Sequence, residues 1–278
     1  MRFGAHFSAT AGTADVRDVG RLLESHGFES LFLPEHTHLP VRGASVHPSG
    51  LQLHDQLRRF LDPFVALAAV AAVTEGLRVG TGVCLVTEHE PIALAKQVAT
   101  LDLLSGGRFL FGVGAGWNRE ELRNHGIDPA RRWAVLAERV RAMKRIWSED
   151  EAEFHGEFVD FDPLWQWPKP AQRPHPPVIV GGEGPRVLER VLAFGDAWGP
   201  NDEPGIAERI PELHRAAAER DRGSVSVTIF HVAPRLEAIQ CYAAVGVERC
   251  VFTLPAADLP TVRAAIERLA PLVREFGG

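Results

Sequence analysis

The chain has 278 residues, 45% hydrophobic and 24% charged, the composition of an ordinary folded protein with length for one barrel-sized domain or two smaller ones. Thirty basic and thirty-six acidic residues give a net charge of −6 without any Lys/Arg block or basic stripe, so a nucleic-acid partner has no electrostatic footprint. The three cysteines, Cys84, Cys241 and Cys250, lack CxxC spacing, which fits a reducing cytosol and argues against a disulfide framework or a thiolate metal site.

The N-terminus, MRFGAHFSAT, enters a strand pattern at once and carries no signal-peptide features, so a cytoplasmic protein is expected. RFGAHF (2–7) reads as strand one, followed by a helix over about 13–26 that ends at Gly27; FESLFLP (28–34) reads as strand two. Asp62 then caps a helix with Pro63 at its first position. Its apolar run, PFVALAAVAAV (63–73), predicts burial on most sides but is too short to span a bilayer, so no membrane partner is expected.

LRVGTGVCLV (77–86) reads as strand three, PIALAKQVATLDLL as a helix ended by Gly106-Gly107, and RFLFGVG (108–114) as strand four. Leu136, Val140, Met143 and Trp147 fall at helical spacing over 131–147 and read as a core stripe. Residues 148–177 break the pattern with acidic, aromatic and proline-rich sequence, an ordered insertion within a single 1–278 domain. Strand five is VIVGG; strands six to eight are read at 196–200, 225–232 and 248–254, with helices near 184–194, 205–222, 235–245 and 258–275. Eight strands alternating with eight helices predict an α/β fold, a (β/α)8 TIM barrel with one insertion before strand five.

In such a barrel the chemistry gathers at the carboxyl ends of the strands, here His6, Glu35 and His36, Gly82 and Val83, Gly112 to Trp117, Gly181 and Gly182, Asn201, His231 and Thr253. The spacing of His36 and His38 alone leaves open whether they hold a metal or one faces an organic cofactor. Because strands five and six end in Gly-Gly and Gly-Pro-Asn, further ligands are scarce and no metal site is assigned. GVGAGW (112–117) lets backbone approach a flat ligand but lacks the GxGxxG spacing. GGEGP (181–185) closes a strand and opens a helix whose positive dipole end suits a phosphate.

The run LRVGTGVCLVTEHEPIALAKQVATLDLLSGGRFLFGVGAGWNREEL resembles, in order and spacing, the bacterial luciferase-like flavin and deazaflavin oxidoreductases. VIVGGEGPRVLERVLAFGDAWGP, WPKPAQRPHPP and DPFVALAAVAAVTEGLRVGTG are similar to the same superfamily, and GVGAGW with SGGR and GDAW looks most like its branch that uses coenzyme F420. The resemblance implies an F420-dependent oxidoreductase that moves a hydride between the deazaflavin and a small organic substrate. It implies that His36 is the acid/base or hydrogen-bonding group beside the ring, with Glu35 orienting it or touching the ring. It further implies His6, a cis peptide at Gly82-Val83 behind the ring, Gly114, Ala115, Gly116 and Trp117 in the strand-four loop, and a phosphate contact at Gly181, Gly182, Glu183 and Gly184. Trp117, Trp165 and Trp167 are expected to wall the substrate space. Trp117 stands where some sugar-phosphate dehydrogenases of the family carry a glutamate, which weakens an alcohol-oxidising role. A homodimer is expected. An FMN-dependent monooxygenase of the same superfamily, a metal-dependent hydrolase and a non-catalytic coenzyme-binding protein are the other readings.

Overall fold

The structure is a computed structural model that describes residues 1–42, 44–46 and 54–276. Strands β1 (Arg2–His6), β2 (Ser30–Leu33), β3 (Arg78–Thr81), its short continuation β4 (Cys84–Leu85) and β5 (Phe109–Gly114) form the first part of a sheet. After an antiparallel hairpin of β6 (Ala152–His155) and β7 (Asp160–Leu164), strands β8 (Val178–Gly181), β9 (Ala197–Gly199), β10 (Ser226–Ile229) and β11 (Arg249–Thr253) complete it. All barrel pairs are parallel, and β11 returns to β1 with Ala5 opposite Phe252 and His6 opposite Thr253, so the sheet closes on itself. Counting β4 with β3, its nine strands make the eight-staved α/β barrel expected.

The flanking helices are α1 (Val16–Ser25), α2 (His54–Leu57), α3 (Pro63–Ala71), α4 (Pro91–Leu104), α5 (Arg119–Asn124), α6 (Arg132–Ser148), α7 (Val187–Phe194), α8 (Ile206–Ala218), α9 (Leu236–Ala244) and α10 (Leu259–Phe276). Their starts follow local chemistry: the Asp62 carboxylate accepts from Val65 N–H at 2.9 Å with Pro63 in the first turn, and Glu90 caps α4 the same way ahead of Pro91. Gly27 and Gly106 carry the positive φ that turns the chain after α1 and α4. Among the described residues no helix is long and apolar enough to cross a membrane.

Two apolar layers hold this frame. Outside the barrel, Phe3, Leu31, Val79, Phe109 and Phe111 meet the helices, and Trp147 of α6 packs on Phe111. Inside, Phe32, Leu110, Ile179, Ala197, Phe230 and Val251 fill the lumen, with Phe32 and Phe230 edge to face at 5.1 Å. Each of the larger of these side chains removed from water contributes about 1.5–3 kcal/mol. Glycine makes the room: a Cβ on Gly80 would fall 2.5 Å from the Phe32 ring. At the amino end of the barrel, buried Arg249 is bonded by Glu29 at 2.7 and 2.8 Å and by Thr228 at 3.0 Å, so its charge is both paired and hydrogen-bonded.

Strand three is shorter than its apolar run because it breaks at Gly82-Val83, whose peptide is cis as expected. The 148–177 segment holds the β6–β7 hairpin and then runs along the barrel flank, where Gln166 donates to Ile92 of α4 and Lys169 to Ile146 of α6. Trp165 and Trp167 are 80% and 56% exposed on that flank, which corrects the expectation that they wall the substrate space. Gln166 between them and Lys169 after them take the inward positions.

Candidate active site

Val83 explains much of the glycine pattern at the carboxyl ends of the strands. Its isopropyl group lies where side chains of the neighbouring strands would otherwise be: a Cβ on Gly114 would fall 2.6 Å from it, one on Gly181 3.2 Å and one on Gly112 3.5 Å. Gly112 is also held against backbone, since its Cβ would fall 2.0 Å from Thr81 O. These glycines therefore leave the space that the Val83 side chain fills. Ala115 is buried with its carbonyl accepting from Thr87, and Gly116, at φ +74°, brings the chain onto Leu122 of α5.

His6 lies beside the cis peptide. Its Nε2–H donates to Gly82 O at 3.2 Å and its ring meets that of His231 edge-on at 4.8 Å. Burial, then the neighbouring His231, hold its pKa down at about 3, so the ring is neutral near pH 7. The opposite nitrogen, Nδ1, is buried with no hydrogen-bond partner among the described residues. His231 takes a positive φ of 59° and its Nδ1 is 2.7 Å from the hydroxyl of Thr253, itself opposite His6 in the barrel register.

His36 is held from both sides. Its Nδ1–H donates to Glu121 Oε2 at 2.7 Å, and Trp117 Nε1–H donates to its Nε2 at 3.3 Å. Trp has only a donor to offer, so the ring is the neutral tautomer with its lone pair on Nε2. The group that orients His36 is thus Glu121 and not its neighbour Glu35, because adjacent residues of an extended chain point opposite ways. Glu35 instead accepts from Leu85 N–H at 2.6 Å and pairs with His89 at 3.0 Å, with buried Cys84 beside the two. Burial works against the charge of His89, but the bond and charge of Glu35 outweigh it and raise its pKa. His38 bonds Asn124 and Thr37, so the two histidines of the HTH stretch diverge.

Glu121 was not singled out from the sequence, although the signal exists. Asn118 followed by Glu121 is an N-cap with an acid three residues on, and Asn118 does cap α5 by accepting from Glu120 and Glu121 N–H at 3.1 Å. A second buried acid, Glu88, lies next to it, and the Thr37 hydroxyl, with one proton to give, lies within hydrogen-bond distance of both. Burial pushes Glu121 up, but the hydrogen bond from His36 and its backbone donors prevail and leave it lowered. Burial and then the charge of Glu121 push Glu88 well above the usual carboxylate range, so Glu88 keeps a proton near neutral pH.

That proton predicts a pH effect on stability. The folded chain holds it at a pH where the unfolded chain has released it, so Glu88 lowers stability progressively as pH rises from the ordinary glutamate range toward its raised pKa. Glu88→Gln keeps a donor toward Glu121 without the titrating proton. Its stability relative to the parent protein is expected to be higher at about pH 8 than at about pH 5, by more than about 1 kcal/mol. Parallel denaturation curves at the two pH values would show an ionised Glu88.

The glycine turn after β8 has its own electrostatics. Gly182 has φ +112° and lies 3.5 Å, at its Cβ position, from the Trp133 ring, while Gly184 faces open space. Arg190 stacks on Trp133 at 4.0 Å, and its pKa is lowered by burial and then by the charges of Arg186 and Arg132. The charges of Arg186 and Arg132 thus both bear on Arg190 near the turn, and Arg132 Nε is buried without a partner among the described residues. Glu183 faces the other way, accepting from Asn201 N–H at 2.7 Å.

Compared with known proteins, residues 1–241 match the family model for luciferase-like monooxygenases. The chain is 43% identical over 258 residues to Rv0953c of Mycobacterium tuberculosis, covering 90% of each. It is 33% identical over 171 residues to an FMNH2-dependent dimethylsulfone monooxygenase of Pseudomonas putida, covering 59% of this chain and 47% of that one. Its fold is similar to that of the coenzyme F420-dependent tetrahydromethanopterin reductase of Methanopyrus kandleri, with a TM-score of 0.71, 16% identity and 97% of each chain covered.

Proposed function

From the premise that the chain belongs to the luciferase-like monooxygenase family, and is a flavin- or deazaflavin-dependent oxidoreductase, we propose that its coenzyme is F420 and its substrate a small organic molecule. The observation that carries this reading is the arginine cluster, Arg132, Arg186 and Arg190, beside the open turn at Gly184. Mutually repelling cations lower their energy by meeting an anion, and F420 brings a phosphodiester and tail carboxylates where FMN brings one phosphate. The motifs GVGAGW, SGGR and GDAW support the same choice.

The residues present fit such a group. His6 offers an unpartnered buried Nδ1 as an acceptor beside Gly82-Val83, and backbone N–H groups of Gly182 to Gly184 with the nearby arginines suit the phosphate. When bound, the coenzyme supplies the hydride-carrying carbon. His36 supplies a lone pair at Nε2, and a substrate hydroxyl that displaces the Trp117 N–H takes that position and finds a proton acceptor held by Glu121.

The Pseudomonas relative favours a second reading, an FMN-dependent monooxygenase. The two differ in oxygen use. In a screen of small alcohols and carbonyl compounds, the protein is expected to exchange hydride with F420 under nitrogen with no loss of rate. Strict dependence on oxygen, with oxygen atoms appearing in the product when FMNH2 is supplied, would replace F420 with the second reading.

A further inference from the structure

We propose that Glu121 and Glu88 form a proton relay that connects His36 to a cavity on the flank of the barrel. The inference rests on the reading of His36 as the group that exchanges a proton with substrate. A ring covered by coenzyme and substrate needs another route to water, and the side chains of His36, Glu121 and Glu88 are only 6%, 0% and 1% exposed.

The connection is continuous. His36 Nδ1–H meets Glu121 Oε2 at 2.7 Å, and the Thr37 hydroxyl stands 3.4 Å from Glu121 Oε1 and 3.2 Å from Glu88 Oε2, between the two carboxyl groups. Glu88 Oε1 has no partner among the described residues, and Glu88 lines a cavity of about 450 Å3 bounded by Thr87, His125, Arg139, Phe158 and Asp160. Arg139 spends its Nη1 on the carbonyls of Val86 and Thr87, while its Nε is also buried and unpartnered. Glu88 and Arg139 thus both line the cavity while each keeps one buried polar atom without a partner, a need that an ordered water meets. The other charged groups facing the pair are His38 and Glu35 from the segment after β2, His89 and Glu90 just before α4, and His125 just after α5, whose Nε2 is 3.8 Å from Glu88 Oε2.

A proton arriving at His36 Nε2 releases the Nδ1 proton to Glu121. Glu88 gives its proton to water in the cavity, and the proton on Glu121 refills Glu88. One proton enters and one leaves, and His36 returns to the starting tautomer when Nε2 gives up its proton and Nδ1 takes one back from Glu121 by the same path in reverse. Because Glu88 is the protonated member and Glu121 the ionised one, the pair is loaded for this direction.

The test reads hydrogen exchange of the His36 ring proton by nitrogen-edited NMR, with and without F420. Glu88→Gln is expected to slow that exchange at least tenfold, most clearly with F420 present, whereas Glu88→Asp, which keeps a carboxyl toward the cavity, retains it within a few fold. Equal exchange in parent and Glu88→Gln proteins overturns the relay. A fluorescence titration with F420 separates the two readings: slowed exchange without F420 binding in the parent protein leaves the relay standing and removes the coenzyme, while equal exchange with normal binding removes the relay alone.

Discussion

Replacing His36 with alanine is expected to lower turnover at saturating coenzyme by about 10²–10⁴-fold, the usual loss when a positioned proton-transfer group is removed. The ring is oriented by a buried carboxylate and offers its lone pair at the end of a barrel strand. The fold should tolerate the change, because Glu121 keeps the N–H groups of Thr37 and His38 and the Thr37 hydroxyl, so a loss of about 1–3 kcal/mol is expected from the missing donor. Steady-state rates beside thermal midpoints check both statements, and unchanged turnover in a folded variant would remove His36 from the mechanism.

The second large effect is expected at the glycine turn. Gly184→Asp puts a carboxylate where the coenzyme's phosphate is proposed to lie, in open space and without a positive φ to strain. Affinity for F420 should fall at least tenfold, about 1.4 kcal/mol or more, with the thermal midpoint unchanged. Gly182 is the poorer test, since φ +112° makes any side chain there cost stability on its own account. Equal affinity in Gly184→Asp and parent proteins would make the turn purely structural.

The barrel was legible because its determinants are local: short apolar runs for buried parallel strands, Asp62-Pro63 and Pro91 for helix starts, Gly27 and Gly106 for stops. The cis peptide at Gly82-Val83 came from the family resemblance, and the glycines at 112, 114 and 181 stood out in two separate motifs. What they serve did not, because the Val83 side chain that fills the space reaches them from another strand. The same limit hid the surroundings of His36, whose partner Glu121 is 85 residues away. Glu35, next in sequence, points elsewhere to Leu85 and His89. Helix α5, which carries Glu121, has only 6 residues and too little apolar periodicity to register, although Asn118 and Glu121 mark its cap. The aromatic insertion misled in the opposite sense: Trp165 and Trp167 look like cavity walls in sequence and are exposed in the fold.

Parallel fluorescence titrations of the intact protein with F420 and with FMN test the central claim most directly. The arginine cluster at the Gly184 turn predicts that F420 binds at least tenfold more tightly and that the difference narrows as salt is raised. Tighter binding of FMN, or a preference for F420 that salt leaves untouched, would contradict it.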